Sequence, residues 1–156
     1  MLSKIKALLD TRRFLNLATA SKDAVPNVAP KFMLSYTDTE IVLADYTIAK
    51  TFENIKTNPT VAIPVMDEIT LNGYQIKGRA RIVTDGKEHK KLYAAMQDKV
   101  VKLSVERIVR GIHAGRESAN FEVCLPEKMT FIVVTVHTLT EIHCTGALSH
   151  EHHALS

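Results

Sequence analysis

The stretch Leu43-Ala-Asp-Tyr-Thr-Ile-Ala-Lys50-Thr51-Phe-Glu-Asn-Ile-Lys-Thr-Asn58-Pro59 decides how this chain is read. An apolar run at 41–44 ends a short strand, a turn follows, and a helix begins at Lys50-Thr51 and stops at Asn58-Pro59. The first N–H groups of a helix lack intrahelical partners, and its dipole favours an anion beside them. Lys50 adds a full positive charge there and Thr51 adds a hydroxyl, so a phosphate is the natural guest. The blander alternative is that Thr51 helps cap the helix while Lys50 is solvated. On these residues alone both readings stay open.

Outward from that stretch the pattern is mostly β. Ile5, Leu8 and Leu9 recur at helical spacing and predict a first helix over 2–13. Strands are expected at 14–20, 26–34, 41–44 and 60–66, with Pro26 and Pro30 placing the second at a rim or in an irregular ladder. From Tyr74 to Val83 the alternation is clean. Tyr74, Ile76, Gly78, Ala80 and Ile82 share one face, and Gln75, Lys77, Arg79, Arg81 and Val83 the other. Gly73 and Gly78 point to a bend or a close approach. A helix covers 87–111, and residues 111–126 have no clear pattern. Residues 129–136 carry the strongest β-signal and 139–142 a further short strand. These elements predict a mainly β fold: a small antiparallel barrel, Greek-key-like, with peripheral helices.

Composition narrows the classes. With 156 residues, 46% hydrophobic and 24% charged, the chain reads as one globular domain over 1–145 followed by a flexible, His-rich tail at 146–156. Lys plus Arg number 20 against 17 Asp plus Glu, too even a balance for a nucleic-acid face. No segment reaches membrane-spanning length, and Cys124 and Cys144 match neither a zinc nor a redox spacing. Reduced thiols and a cytoplasmic location are the expectation. His143, Cys144, His150, His152 and His153 invite a metal reading, with His150 and His153 at helical i, i+3 spacing. Their Ser- and Ala-rich setting favours a solvated tail instead, and no metal site is assigned. His113, between Gly111 and Gly115, is expected on a loop. No nucleophile–base order, Walker loop or dinucleotide glycine pattern stands out, so no catalytic residue is assigned.

With Leu17-Ala-Thr-Ala20, Pro26-Asn-Val-Ala-Pro-Lys31, Leu43 to Asn54, Asn58-Pro59 and Asn72-Gly-Tyr-Gln-Ile-Lys-Gly-Arg-Ala80 in this order, the chain resembles the FMN-binding split-barrel proteins, the group named after pyridoxamine 5′-phosphate oxidase. The resemblance implies an FMN phosphate on Lys50 and Thr51, with Ala49 beside them, and the flavin passing Ala44 and Asp45. It implies that Val28, Ala29, Pro30 and Lys31 line the ring, with Lys31 as a second cation, and that Gln75 and Lys77 approach the cofactor. It also implies a homodimer with the flavin at the subunit interface and a small-molecule substrate. The function it implies is an FMN-dependent oxidoreductase taking electrons from reduced nicotinamide or another donor. The alternative is a non-catalytic flavin- or heme-binding or electron-carrier protein. Pyridoxamine phosphate oxidases end in a Trp- and Arg-containing segment that holds the substrate. This chain has no Trp and nothing comparable over 141–156, so that named activity is not expected.

Overall fold

The computed structural model describes residues 1–113, 126 and 128–152, with 107–113 described only as helix backbone. Alternating apolar and polar residues build β1 (Phe14–Ala20), β2 (Pro26–Tyr36), β3 (Glu40–Asp45), β4 (Thr60–Met66), β5 (Gly73–Val83) and β6 (Thr130–Ile142). They pair antiparallel in the order β3-β2-β1-β4-β5-β6, and β3 returns onto β6, so six strands close into a barrel. Closure removes the unpaired edges that an open sheet would expose. Leu15, Leu17, Ile41, Leu43, Val61, Ile63, Ile76, Ile132 and Val134 fill the interior.

Helices close the barrel ends. The expected first helix is a 3-10 turn at Leu2–Ile5 running into α1 (Lys6–Asp10), and Leu2, Ile5 and Leu9 join the barrel core. In the connection from β3 to β4, α2 (Lys50–Thr57) packs against β1, β2 and β5, and its Ile55 joins the same core. A third helix, α3 (Gly86–His113), covers one outer face. Its Met96 and Val100 pack with Phe32, Leu34, Ala44, Val83, Phe131 and Val133. Val83, read as part of the polar face of its strand, is buried there. Lys99 of α3 donates to the carbonyls of Met33 and Leu34, each at 2.8 Å, where β2 bulges against β3.

Other expectations were met or corrected locally. Pro26 and Pro30 pair with β1, but β3 joins β2 only from Phe32 onward, so the two prolines sit where one side of the ladder is free. The strands expected at 129–136 and 139–142 are one strand. Lys77 opposes Thr138 and Gly78 opposes Val136, which leaves His137 as a bulge that breaks the period without ending the strand. Leu148–His152, expected to be flexible tail, forms β7 on the part of β6 that extends beyond β3. Gly146 (φ +86°) turns the chain back, and the ladder holds a segment with no apolar period of its own. His113, expected on a loop, is the last residue of α3. The unpatterned stretch 114–125, with Cys124, and the chain end from His153 lie outside the described residues.

Gly78 shows the close approach expected of it: an added Cβ would stand 2.2 Å from the Thr135 carbonyl oxygen. Gly78→Ala should therefore lose about 1–3 kcal/mol of stability, read from the urea midpoint at constant m value. At Gly73 an added Cβ meets nothing nearer than 3.6 Å, so Gly73→Ala should cost far less. Equal losses at both positions would remove the steric explanation.

Candidate functional site

The end of the barrel beneath α2 is where polar side chains turn inward. Lys31 of β2 and Asp45 of β3 face the interior there, with side chains 4% and 0% exposed, and Lys31 Nζ donates to Asp45 Oδ1 at 2.7 Å. The same oxygen accepts the Thr47 hydroxyl at 2.9 Å and the Thr47 N–H at 3.1 Å, and Lys31 also donates to the Thr47 hydroxyl at 3.1 Å. Burial alone would raise the pKa of Asp45. The hydrogen bonds from Lys31 and Thr47 and the lysine charge outweigh it, and the carboxyl sits below its ordinary value. Its other oxygen, Oδ2, is buried without a hydrogen-bond partner among the described residues.

From Asp45 the chain turns through Tyr46–Ala49 into α2. Ile48 lies at φ +41°, a conformation that a β-branched residue adopts only under constraint. Ala49 at the N-cap has no side chain to cap the helix, so among the described residues the first N–H groups of α2 have no side-chain cap. Lys50 is exposed beside them. Its ion pair with Glu53, at 3.4 Å on the same helix, is solvated and weak. Thr51 is buried, and its hydroxyl accepts from Asn27 Nδ2 at 3.1 Å. Asn27 also donates to Thr19 Oγ1 at 3.3 Å, as does Asn54 at 3.1 Å. This Asn27–Thr19–Asn54–Thr51 network ties α2 to β1 and β2.

Sequence reasoning missed Asn27, Thr19, Asn54 and Thr47. Thr47 carried a readable signal, since Asp-x-Thr after a strand is a local turn motif. Thr19 and Asn27 sit at inward positions where alternation predicts apolar residues, and their partners there are Thr51 and Asn54 of α2.

The residues named by the resemblance fall into two groups. Ala49, Lys50 and Thr51 gather at the start of α2, with Lys31 and Asp45 on the interior side of the barrel end; Ala29 shares the inward side of β2 with Lys31. Val28 (62% exposed) and Pro30 point the other way, onto the outer face that α3 leaves bare. Gln75 and Lys77 lie outward on β5, separated from β2 by β1 and β4, roughly 14 Å at normal strand spacing. They line a groove of about 500 Å³ with Thr138, Thr140, His150 and His152. Ala44 is fully buried among the residues beneath α3 and brings no side chain to either group. Lys31 is neutralised by the buried Asp45, whereas Lys50 at the helix start is held only by the solvated pairing with Glu53 among the described residues.

Residues 1–125 match the sequence profile of the family described as pyridoxamine 5′-phosphate oxidase. An uncharacterized protein of Methanocaldococcus jannaschii is 39% identical over 89 residues, 55% of this chain. That match spans 58% of the relative's length. Among solved structures, a Clostridium acetobutylicum protein related to general stress protein 26 superposes with a TM-score of 0.70 at 13% identity, covering 97% of this chain and 93% of that one. A pyridoxamine 5′-phosphate oxidase-related, FMN binding protein of Nostoc punctiforme gives 0.58 at 15% identity over 99% and 93%. At such identities the likeness is one of fold.

The buried pair yields a test with a sign. A carboxyl whose folded pKa is depressed contributes stability above its unfolded pKa and loses it as pH falls through the folded value. Wild-type stability should therefore not fall between pH 5 and 7 on account of Asp45. Lys31→Met strands a buried carboxylate at a loss of about 3–5 kcal/mol. With desolvation opposed only by the Thr47 hydrogen bonds, its stability should fall as pH rises over that range, measured by urea unfolding. A flat profile in Lys31→Met would show that the pair is not what holds Asp45 ionised.

Proposed function

The chain belongs to the pyridoxamine 5′-phosphate oxidase family, and on that premise we propose that it is a flavoprotein that holds FMN by its phosphate at the start of α2. We further read it as an oxidoreductase that takes electrons from reduced nicotinamide or another donor and passes them to a small substrate, in the cytoplasm. The observation that carries the reading is the uncapped first turn of α2 with the exposed ammonium of Lys50 beside it. A dianionic phosphate satisfies the free N–H groups, the helix dipole and Lys50 together. It would draw Lys50 from its weak pairing with Glu53. The Thr51 hydroxyl supplies a further donor, and the Asn27–Thr19–Asn54 network holds it in place. Asp45 Oδ2, without a partner among the described residues, is an acceptor and would suit a hydrogen-bond donor of the guest, not its phosphate.

When bound, FMN supplies the redox chemistry. The protein's part is to fix it. The Lys31–Asp45 pair gives the site a rigid floor of zero net charge, so Lys50 and the helix start set the local potential.

A ring held here has one wall in a single chain, because Tyr46, Ile48 and the outward residues of β2 are open to solvent. The bare outer face also exposes Phe14, Val28, Met66, Ile142 and Leu148, an apolar spread that a soluble surface seldom leaves uncovered. We read this face as the contact with a second copy, which supplies the second wall; Gln75 and Lys77 would then approach the flavin of the partner. Sedimentation should give a dimer at micromolar concentration, and a monomer that still holds flavin would contradict this arrangement. Among the described residues no helix is long and apolar enough to cross a membrane.

A charge-assisted hydrogen bond contributes about 1.5–3 kcal/mol, so Lys50→Ala should weaken FMN binding roughly ten- to a hundredfold. Riboflavin, which has no phosphate, should be indifferent to the change. Equal losses for both ligands would remove the phosphate assignment. Flavin that binds but turns over with neither reduced nicotinamide nor another donor would make the protein a carrier, and tight binding of heme in place of flavin would change the cofactor.

A further inference from the structure

We propose that His150 and His152 form a binding site for a divalent transition-metal ion, Cu²⁺, Ni²⁺ or Zn²⁺, on the exposed face of β7. The helical spacing read from the sequence would have paired His150 with His153. A strand changes the partner, because residues i and i+2 share a face. The two imidazoles stand side by side, with ring centroids 6.3 Å apart and planes inclined by 25°. Metal–nitrogen bonds are about 2.0–2.1 Å long, so a modest inward tilt of both rings brings the two Nε2 atoms onto one ion.

The cross-strand neighbours make this more than two nearby rings. His150 opposes Thr140 and His152 opposes Thr138 in the β6–β7 register. Nδ1 of His150 lies 3.0 Å from the Thr140 hydroxyl, and Nδ1 of His152 lies 3.3 Å from the Thr138 hydroxyl. A neutral imidazole that gives its Nδ1–H to a hydroxyl oxygen keeps the Nε2 lone pair free, and such partners fix tautomer and ring orientation at metal sites. The same contact is repeated on two successive rungs of the ladder. Both rings line the groove of about 500 Å³ along β5, β6 and β7, which has room for the ion and its waters.

Two features set the strength of the site. Lys77 lines the same groove, in the cross-strand row of Thr138 and His152, and its positive charge weakens the hold on a cation. Among the described residues no three His, Cys, Asp or Glu converge on a point, so water completes the coordination sphere. The site therefore binds more weakly than a four-ligand structural centre, and it takes the ions that prefer imidazole, with Cu²⁺ ahead of Ni²⁺.

The test is calorimetric titration of the untagged, full-length protein with Cu²⁺ and Ni²⁺. One ion per chain is expected, with at least a tenfold loss of affinity in His150→Asn and in His152→Asn. His143→Asn, on the turn before β7, should change nothing. Thr140→Val should lower affinity about tenfold, the effect of removing an orienting partner, while circular dichroism shows the fold unchanged. Full affinity in either His150→Asn or His152→Asn overturns the proposal. Loss in the histidine variants with no effect of Thr140→Val would leave an adventitious surface chelate, and the assigned site would fall.

Discussion

The ion pair between Lys31 and Asp45 is the contact on which the rest of this end of the barrel depends. It joins neighbouring strands at the point where β3 stops. One carboxylate oxygen accepts from Lys31 and twice from Thr47, which bends the chain out of the sheet. The turn delivers Ile48 into a strained conformation and Ala49–Lys50 into the first turn of α2. Strain of this kind costs about 1–3 kcal/mol and persists only where the surroundings enforce it. A salt bridge this deeply buried is a poor source of net stability compared with apolar residues of the same size. Its value lies in geometry: it fixes where the helix starts and which way its free N–H groups face.

That geometry separates two functions that the sequence mixes. Along β2 successive side chains face opposite ways, so Lys31 belongs to the interior while Val28 and Pro30 belong to the outer face. On the proposed reading, the phosphate donors at the start of α2 all lie within one chain, and the apolar outer face, with Gln75 and Lys77 at its far side, would be completed by a second copy laid against it. The proposed site thus divides into an anion-binding half that any folded monomer carries and a ring-binding half that assembly would supply. The His150–His152 pair borders the same outer side, in the groove that Gln75 and Lys77 also line, so a second copy laid on that face would flank it.

Much of the fold was legible because its signals are local. Clean alternation gave β1, β4 and β5 to within a residue or so, and Asn58-Pro59 ended α2 where expected. Lys50-Thr51 marked the helix start for the same reason. Signals that depend on tertiary partners were not legible. Nothing local announces that Lys31, spaced like a ligand, is neutralised by a residue on the next strand. A bulge at His137 hid the continuity of β6. The segment 148–152 lacks any apolar period, yet β6 extends past β3 and offers it an unpaired edge. Ala44 looked like a site residue and is core, because the helix that covers it begins about forty residues later in the chain.

The central claim is that the start of α2 holds a phosphate as its dianion. Phosphorus NMR of FMN bound to the protein reads this directly. A free phosphate monoester changes charge near about pH 6 and its resonance moves with it. Held by Lys50 and the first N–H groups of α2, the bound phosphate should stay dianionic, and its resonance should remain fixed from about pH 5 to 8. A bound resonance that follows the titration curve of free FMN would place the phosphate in solvent and contradict the account.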